Sequence, residues 1–217
     1  DVGDGTYTAS YTPSVTGDDT VVITMNTIAI SGSPYTSSVS TGVVSPANST
    51  ATVPGGGVGA PTEIEVQARD AGGNPMGSGG ELVVVNVSGA NNPGDLAVTD
   101  VGDGTYTASY TPANLGDDTV VITMNGTAIS GSPFTSTVGV GPADPASSTA
   151  TVPAGEAGES TTITVQARDA GGNALSVGGE SVVVNVTGAN NAGDLVVTDV
   201  GDGTYTASYT PLTAGDD

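Results

Sequence analysis

The stretch from Asp1 to Pro13, DVGDGTYTASYTP, returns letter for letter at Asp100 to Pro112 and at Asp199 to Pro211, so the chain is a tandem array with a period of 99 residues. Gly32-Ser33-Pro34 and Gly131-Ser132-Pro133 keep the same spacing, as do Gln67 to Asn74 and Gln166 to Asn173. Solenoid turns repeat every ~20 to 50 residues. An unslipped period this long therefore means stacked whole domains. The chain opens and closes inside a repeat, which reads as a window on a longer array. This segment has no basic and apolar leader and no apolar run long enough for a bilayer, so no direct membrane insertion is expected of it.

The only basic side chains are Arg69 and Arg168, and the formal net charge is −21. Phosphate recognition needs clustered Lys and Arg, so nucleic acid and anionic lipid are excluded as partners. An acidic surface suits solubility and cations instead. Cysteine and histidine are both absent. That removes disulfides, thiolate metal sites and the common nucleophile-base pairs of catalysis. No catalytic residue and no enzymatic activity are expected.

Alternation sets the local structure. Glu63 to Ala68 places Ile64, Val66 and Ala68 on one face and polar residues on the other, the pattern of a half-buried strand. Leu82 to Val87 and Leu96 to Thr99 follow, and Asp103-Gly104 supplies a hairpin turn because such turns need positive φ. Tyr106, Ala108 and Tyr110 alternate along the next strand, Val120, Ile122 and Met124 along another, and Phe134 to Val140 forms the last. With Ser49 to Val53, or Ser148 to Val152, as the opening strand, the count is seven. Seven short strands at this spacing predict an all-β fold of tandem seven-stranded immunoglobulin-like β-sandwiches. Tyr106, Tyr110, Val85, Ile64, Ile122 and Phe134 are expected in one core.

The order of these signatures resembles the filamin-type, ABP280-like immunoglobulin repeat. The residues that carry the resemblance are the Ala-Arg-Asp-Ala-Gly-Gly-Asn turn, Gly79-Gly80, Val101 to Tyr106, Ser109 to Pro112, Gly116, and Ile129 to Phe134. The resemblance implies strands A to G in each sandwich, used as a spacer and protein-binding module. On it, residues 1–40 are a partial repeat (strands E to G), 45–140 a complete one, and 144–217 a partial one (strands A to E). The two partial repeats are complementary. Strand exchange between chains is one reading of this, and an array divided without regard to domain boundaries is the preferred one. The copies here are nearly identical and contain no lysine. They thus depart from cytoskeletal members of the family and resemble repetitive secreted or surface proteins.

In that topology consecutive repeats bring opposite ends together, which would gather Asp95, Asp117 and Asp118 from one domain, Asp144 from the linker, and Asp169, Asp199 and Asp202 from the next. Carboxylates are ligands that Ca²⁺ prefers, so calcium is the one cofactor these seven suggest, although no EF-hand pattern is present. Asp117-Asp118 and its copies Asp18-Asp19 and Asp216-Asp217 otherwise read as a solvated turn. Arg69 and Arg168, directly before Asp70 and Asp169, read as structural, either as a local ion pair or as a guanidinium fork capping loop carbonyls, rather than as ligand contacts. Four Asn-x-Ser/Thr triplets, at Asn48, Asn86, Asn125 and Asn185, match glycosylation acceptors.

The function expected is that of a non-catalytic structural repeat of a long extracellular or cell-surface protein, a fibre subunit or an adhesin stalk, with other copies of the same chain as partners in a fibre or lateral assembly. Open sheet edges with little positive charge to blunt them favour such pairing. The alternative is an intracellular filamin-like scaffold that binds partner peptides by β-strand addition between strands C and D.

Overall fold

The computed structural model describes residues 1–217, and contains strands and turns but no helix. In the central repeat the alternating sequence becomes two layers. Its strands are β5 (Thr50–Thr52), β6 (Gly56–Gly57), β7 (Thr62–Gln67), β8 (Val83–Gly89), β9 (Gly94–Asp95), β10 (Val98–Asp100), β11 (Thr105–Tyr110), β12 (Gly116–Met124), β13 (Thr127–Ala128) and β14 (Phe134–Gly139). One layer runs β10-β11-β7-β5 and the other β6-β14-β12-β8-β9. The opening strand is thus divided between both layers: β5 pairs with β7, and β6 pairs parallel with β14.

Apolar faces meet between the layers. The core includes Ile64, Val66, Val85, Val87, Tyr106, Tyr110, Val120, Ile122 and Met124, and burying each large apolar side chain stabilises by about 1.5–3 kcal/mol. Five of the six expected core residues are fully inside. Phe134 is only half-buried, because it enters β14 at the rim and its ring lies over Gly131, where a β-carbon would stand 3.0 Å from it. Ser136 and Val138, further along the same face, take the inner positions.

The turn at Asp103-Gly104 forms as expected: Gly104 has φ +89°, and the Asp103 carboxylate accepts the Thr105 amide at 2.9 Å. Gly104 is also held by packing, since a side chain there would overlap the Met76 carbonyl.

The flanking stretches carry fewer strands than the central repeat. Residues 1–40 carry β1 (Gly17–Val21), β2 (Thr24–Met25), β3 (Ile28–Ala29) and β4 (Tyr35–Val39). The strand expected over Thr6 to Tyr11 is not formed, although its sequence equals that of β11. Tyr7 and Tyr11 are 67% and 57% exposed, against 1% and 7% for Tyr106 and Tyr110. The reason is pairing: β11 lies between β7 and β10, whereas no strand among residues 1–217 pairs with residues 6–11. The third repeat has β15 (Thr149–Thr151), β16 (Thr161–Gln166), β17 (Asn185–Val186), β18 (Gly193–Asp194), β19 (Val197–Asp199) and β20 (Thr204–Tyr209). One of its layers, β15-β16-β20-β19, is whole, while β17 is a two-residue remnant of the strand that β12 supports in the central copy.

Candidate functional site at the repeat junction

For an array of sandwiches the chemistry that matters lies where one domain meets the next. The complete junction here joins the second repeat to the third. Its apolar element is Val58, in the turn between β6 and β7. Val58 is only 1% exposed, yet it does not belong to the cluster that fills the sandwich. It is covered by the next repeat: a β-carbon on Gly171 would stand 2.8 Å from Val58 Cγ1. Beside it, a β-carbon on Gly59 would stand 2.6 Å from the Ala170 methyl. Glycines at 59 and 171 therefore permit backbone contact that any side chain would obstruct.

The linker threads past the same point. Gly141 lies against the Val58 carbonyl so closely that a β-carbon would overlap it. The Gly141 amide donates to Asp169 Oδ2 at 3.1 Å. Asp169 is buried and also accepts from the amides of Gly171 (3.0 Å) and Asn173 (2.9 Å) and from Asn173 Nδ2 (3.0 Å to each oxygen). An aspartate bonding to the amide two residues on is a local turn-former. Here the turn's second oxygen holds the linker, which ties the preceding domain to this loop.

The first junction repeats the clip. Asp70 accepts from Gly42 in the linker at 2.9 Å, and from Gly72 and Asn74 at 2.9 Å each. Asn74 Nδ2 then reaches across to the Ser14 carbonyl of the first repeat at 3.1 Å. The Gly42 amide, followed by the Asn74 groups, holds the Asp70 carboxyl down to about 2. Burial alone would raise Asp169. The hydrogen bonds from Asn173, Gly141 and Gly171 together outweigh it and leave Asp169 below the usual carboxylate range.

Behind the junction a polar network fixes the loop that meets Gly171. Asn91 Oδ1 accepts from Ala113 (2.8 Å) and Asn114 (2.9 Å), and the Ala113 carbonyl lies 3.2 Å from where a Gly171 β-carbon would be. Asn91 is anchored by Asp118, whose Oδ1 accepts the Asn91 amide at 2.6 Å and whose Oδ2 accepts Asn91 Nδ2 at 3.0 Å. The Tyr110 hydroxyl donates to Asp118 Oδ2 at 2.9 Å. Asp118 is wholly buried, which corrects its reading as part of a solvated turn; Asp117, beside it, is exposed and accepts from Thr137 Oγ1 at 2.8 Å.

The seven carboxylates expected to converge are each engaged locally instead. Asp95 accepts from Asn86 (2.7 Å), Asp144 from Ser147 (2.7 Å) and Ala146 (3.2 Å), Asp199 from Gly179 and Gly201 (2.8 Å each), and Asp202 from the Thr204 amide (3.0 Å). Asp117, Asp118 and Asp169 have the partners given above. No three acids group as a cation site. Loop geometry does bring the expected ends together, but side-chain direction is set by nearby amides. Arg69 and Arg168 donate to the carbonyls of Gly73 and Gly172 at 2.9 and 2.8 Å, the capping alternative of their structural reading rather than the ion pair.

Val58, Gly141, Asn91 and Tyr110 were not singled out for the junction by sequence. A lone valine inside Gly55-Gly56-Gly57-Val58-Gly59 was the available signal, since one bulky apolar residue in a glycine turn needs something to cover it.

Comparison with known proteins agrees with this architecture. The family model for the Filamin/ABP280 repeat matches residues 1–36, 43–135 and 142–217. Filamin-C of Mus musculus is 31% identical over 229 aligned residues, covering 99% of this chain and 8% of Filamin-C. The E3 ubiquitin-protein ligase TRIM45 of Bos taurus is 41% identical over 81 residues, covering 36% of this chain and 14% of that protein. Among solved structures, the Escherichia coli adhesin FdeC superposes with a TM-score of 0.58 at 24% identity, over 92% of this chain and 67% of that one.

Proposed function

The chain belongs to the Filamin/ABP280 repeat family, and from that premise we propose that it is a non-catalytic spacer: a run of sandwiches in a long extracellular or cell-surface protein, such as an adhesin stalk or fibre subunit, whose joints resist bending. The observation that carries the spacer reading is the joint itself. Val58 is buried by the following domain, while Asp169 holds the linker at Gly141. An apolar contact between the domains and a hydrogen bond to the linker backbone together restrict rotation as well as separation. The surface location is supported by composition, since nearly identical acidic copies without lysine form a soluble, self-repelling array. The Escherichia coli adhesin FdeC shares the fold.

The second reading, an intracellular scaffold that takes partner peptides by strand addition, is supported by the identity with Filamin-C. An edge is available for it, because β8 is covered on its outer side only by the two residues of β9.

Small-angle scattering on dilute protein tests the joint. Val58→Asp places a charge in the buried contact and is expected to broaden the distance distribution into that of a hinged chain, with the central sandwich melting as before. An unchanged distribution would refute the stiff joint. Antibody labelling of intact cells tests location, and labelling only after permeabilisation would favour the scaffold.

A further inference from the structure

The four Asn-x-Ser/Thr triplets are alike in sequence, but the fold places them differently. Asn48 spends both Nδ2 hydrogens on the carbonyls of Asp70 (3.2 Å) and Ala71 (2.8 Å), and Ser49 beside it is 0% exposed. A substituent on that nitrogen would break one of these bonds. Asn86 lies half-buried inside β8, opposite Val121 on one side and Asp95 on the other, and its Nδ2 donates to Asp95 at 2.7 Å. A sugar there would have to lie across β9 and β12. Asn185 takes the corresponding place in the third repeat and makes the same 2.7 Å bond to Asp194.

Asn125 stands on a tip instead. Asn125-Gly126 is the two-residue turn between β12 and β13, closed by the pair Met124↔Thr127. Both turn residues have positive φ, 51° and 78°, which such a turn requires and which Asn and Gly tolerate. Asn125, Gly126 and Thr127 are all exposed, and a β-carbon on Gly126 would meet nothing within 4 Å. The tip therefore faces open space. Asn125 Oδ1 accepts the Leu82 amide at 3.0 Å, while Nδ2 donates one hydrogen to Glu81 and has no partner for the other. The matching tip of the first repeat, Asn26-Thr27-Ile28, has the same turn at φ 50° and 70° but no hydroxyl residue in third place.

We propose that Asn125 is the N-glycan acceptor of this chain. The inference rests on the extracellular reading, because this chemistry belongs to the secretory pathway. The co-reactant is an oligosaccharide carried on a lipid pyrophosphate. Asn125 Nδ2 bonds to C1 of the first sugar, the C1–O bond to the pyrophosphate breaks, the pyrophosphate leaves with that electron pair, and one Nδ2 proton passes to solvent. What the asparagine keeps is Oδ1 and one N–H. Those are the two groups that the folded hairpin uses, on Leu82 and Glu81, so the turn survives the modification. Asn48 needs both hydrogens and would not. A glycan on the tip is bulky and solubilising, and it would stand beside Leu82, which is 67% exposed.

The test uses the full chain, secreted from cultured animal cells behind a cleavable signal peptide. Treatment with a peptide N-glycosidase, which converts a glycan-bearing asparagine to aspartate, is expected to give one shift on gels and a new aspartate at position 125 by mass spectrometry. Asn125→Gln and Thr127→Ala should each abolish the shift. The second leaves the Asn-Gly turn in place, so its loss does not report misfolding. Asn86→Gln should leave the shift unchanged. Secreted protein that shows no shift, or conversion at Asn48, Asn86 or Asn185, would overturn the proposal. Antibody labelling of intact cells stands apart from this test, because here the added signal peptide and not the native chain directs the protein into the pathway.

Discussion

Tyr110 and Asp70 show what single residues contribute. The Tyr110 hydroxyl is one of the donors that satisfy the buried Asp118 carboxylate, and burial raises its pKa above the ordinary phenol value. Tyr110→Phe keeps the packing and removes a donor. A buried acceptor left short costs about 1–3 kcal/mol. At roughly 4–8 °C per kcal/mol for a domain of this size, calorimetry should show the central transition lowered by about 4 °C or more. Asp70 works through pH. Its folded value of about 2 lies below the ~3.9 of an unfolded chain, so its stabilisation is complete above about pH 4 and is lost as pH falls towards 2. Melting temperatures measured between pH 7 and pH 2 should fall through that window, and Asp70→Asn should flatten the fall. An equally steep acid limb in the variant would show that other carboxylates set it.

At the scale of elements, one hexapeptide takes two states. Thr-Tyr-Thr-Ala-Ser-Tyr forms a strand at Thr105–Tyr110 and at Thr204–Tyr209 but not at Thr6 to Tyr11. Alternation made the strand legible, because Tyr106, Ala108 and Tyr110 mark one face. Whether the strand forms depends on neighbours that sequence alternation does not encode. Hydrogen exchange, read on peptides extended to the distinct flank at Ala113, should show strong protection over 105–110, where β7 and β10 flank the strand on both sides. Fast exchange there would refute the pairing assigned to β11. The rim position of Phe134 has a related cause, since alternation assigns a face but not how far along the sheet the core extends.

For the whole molecule, the ends of consecutive repeats meet as the loop order predicts, but through different residues. The candidate metal ligands were legible as an acidic set, but the partner each one takes was not, because each carboxylate is captured by an amide, hydroxyl or side-chain amide close to it. Ca²⁺ and Mg²⁺ at matched ionic strength are accordingly expected to leave melting temperature and maximum dimension the same as in chelator. A calcium-specific rise would show that these carboxylates can reorganise around an ion.

The sequence by itself determined the period, the sandwich class, the core faces, the turn at Asp103-Gly104 and the exclusion of thiol, imidazole and phosphate-binding chemistry. These follow from local residue identity: side chains alternate along a strand, glycine allows positive φ, and an absent residue type supplies no chemistry. Tertiary structure decided that Asp118 is buried, that Val58 belongs to a junction, that Asp169 holds a linker, and that identical strands differ in order. Each of those depends on which distant segment occupies the space alongside, and pairing and burial are properties of that neighbour as much as of the residue itself.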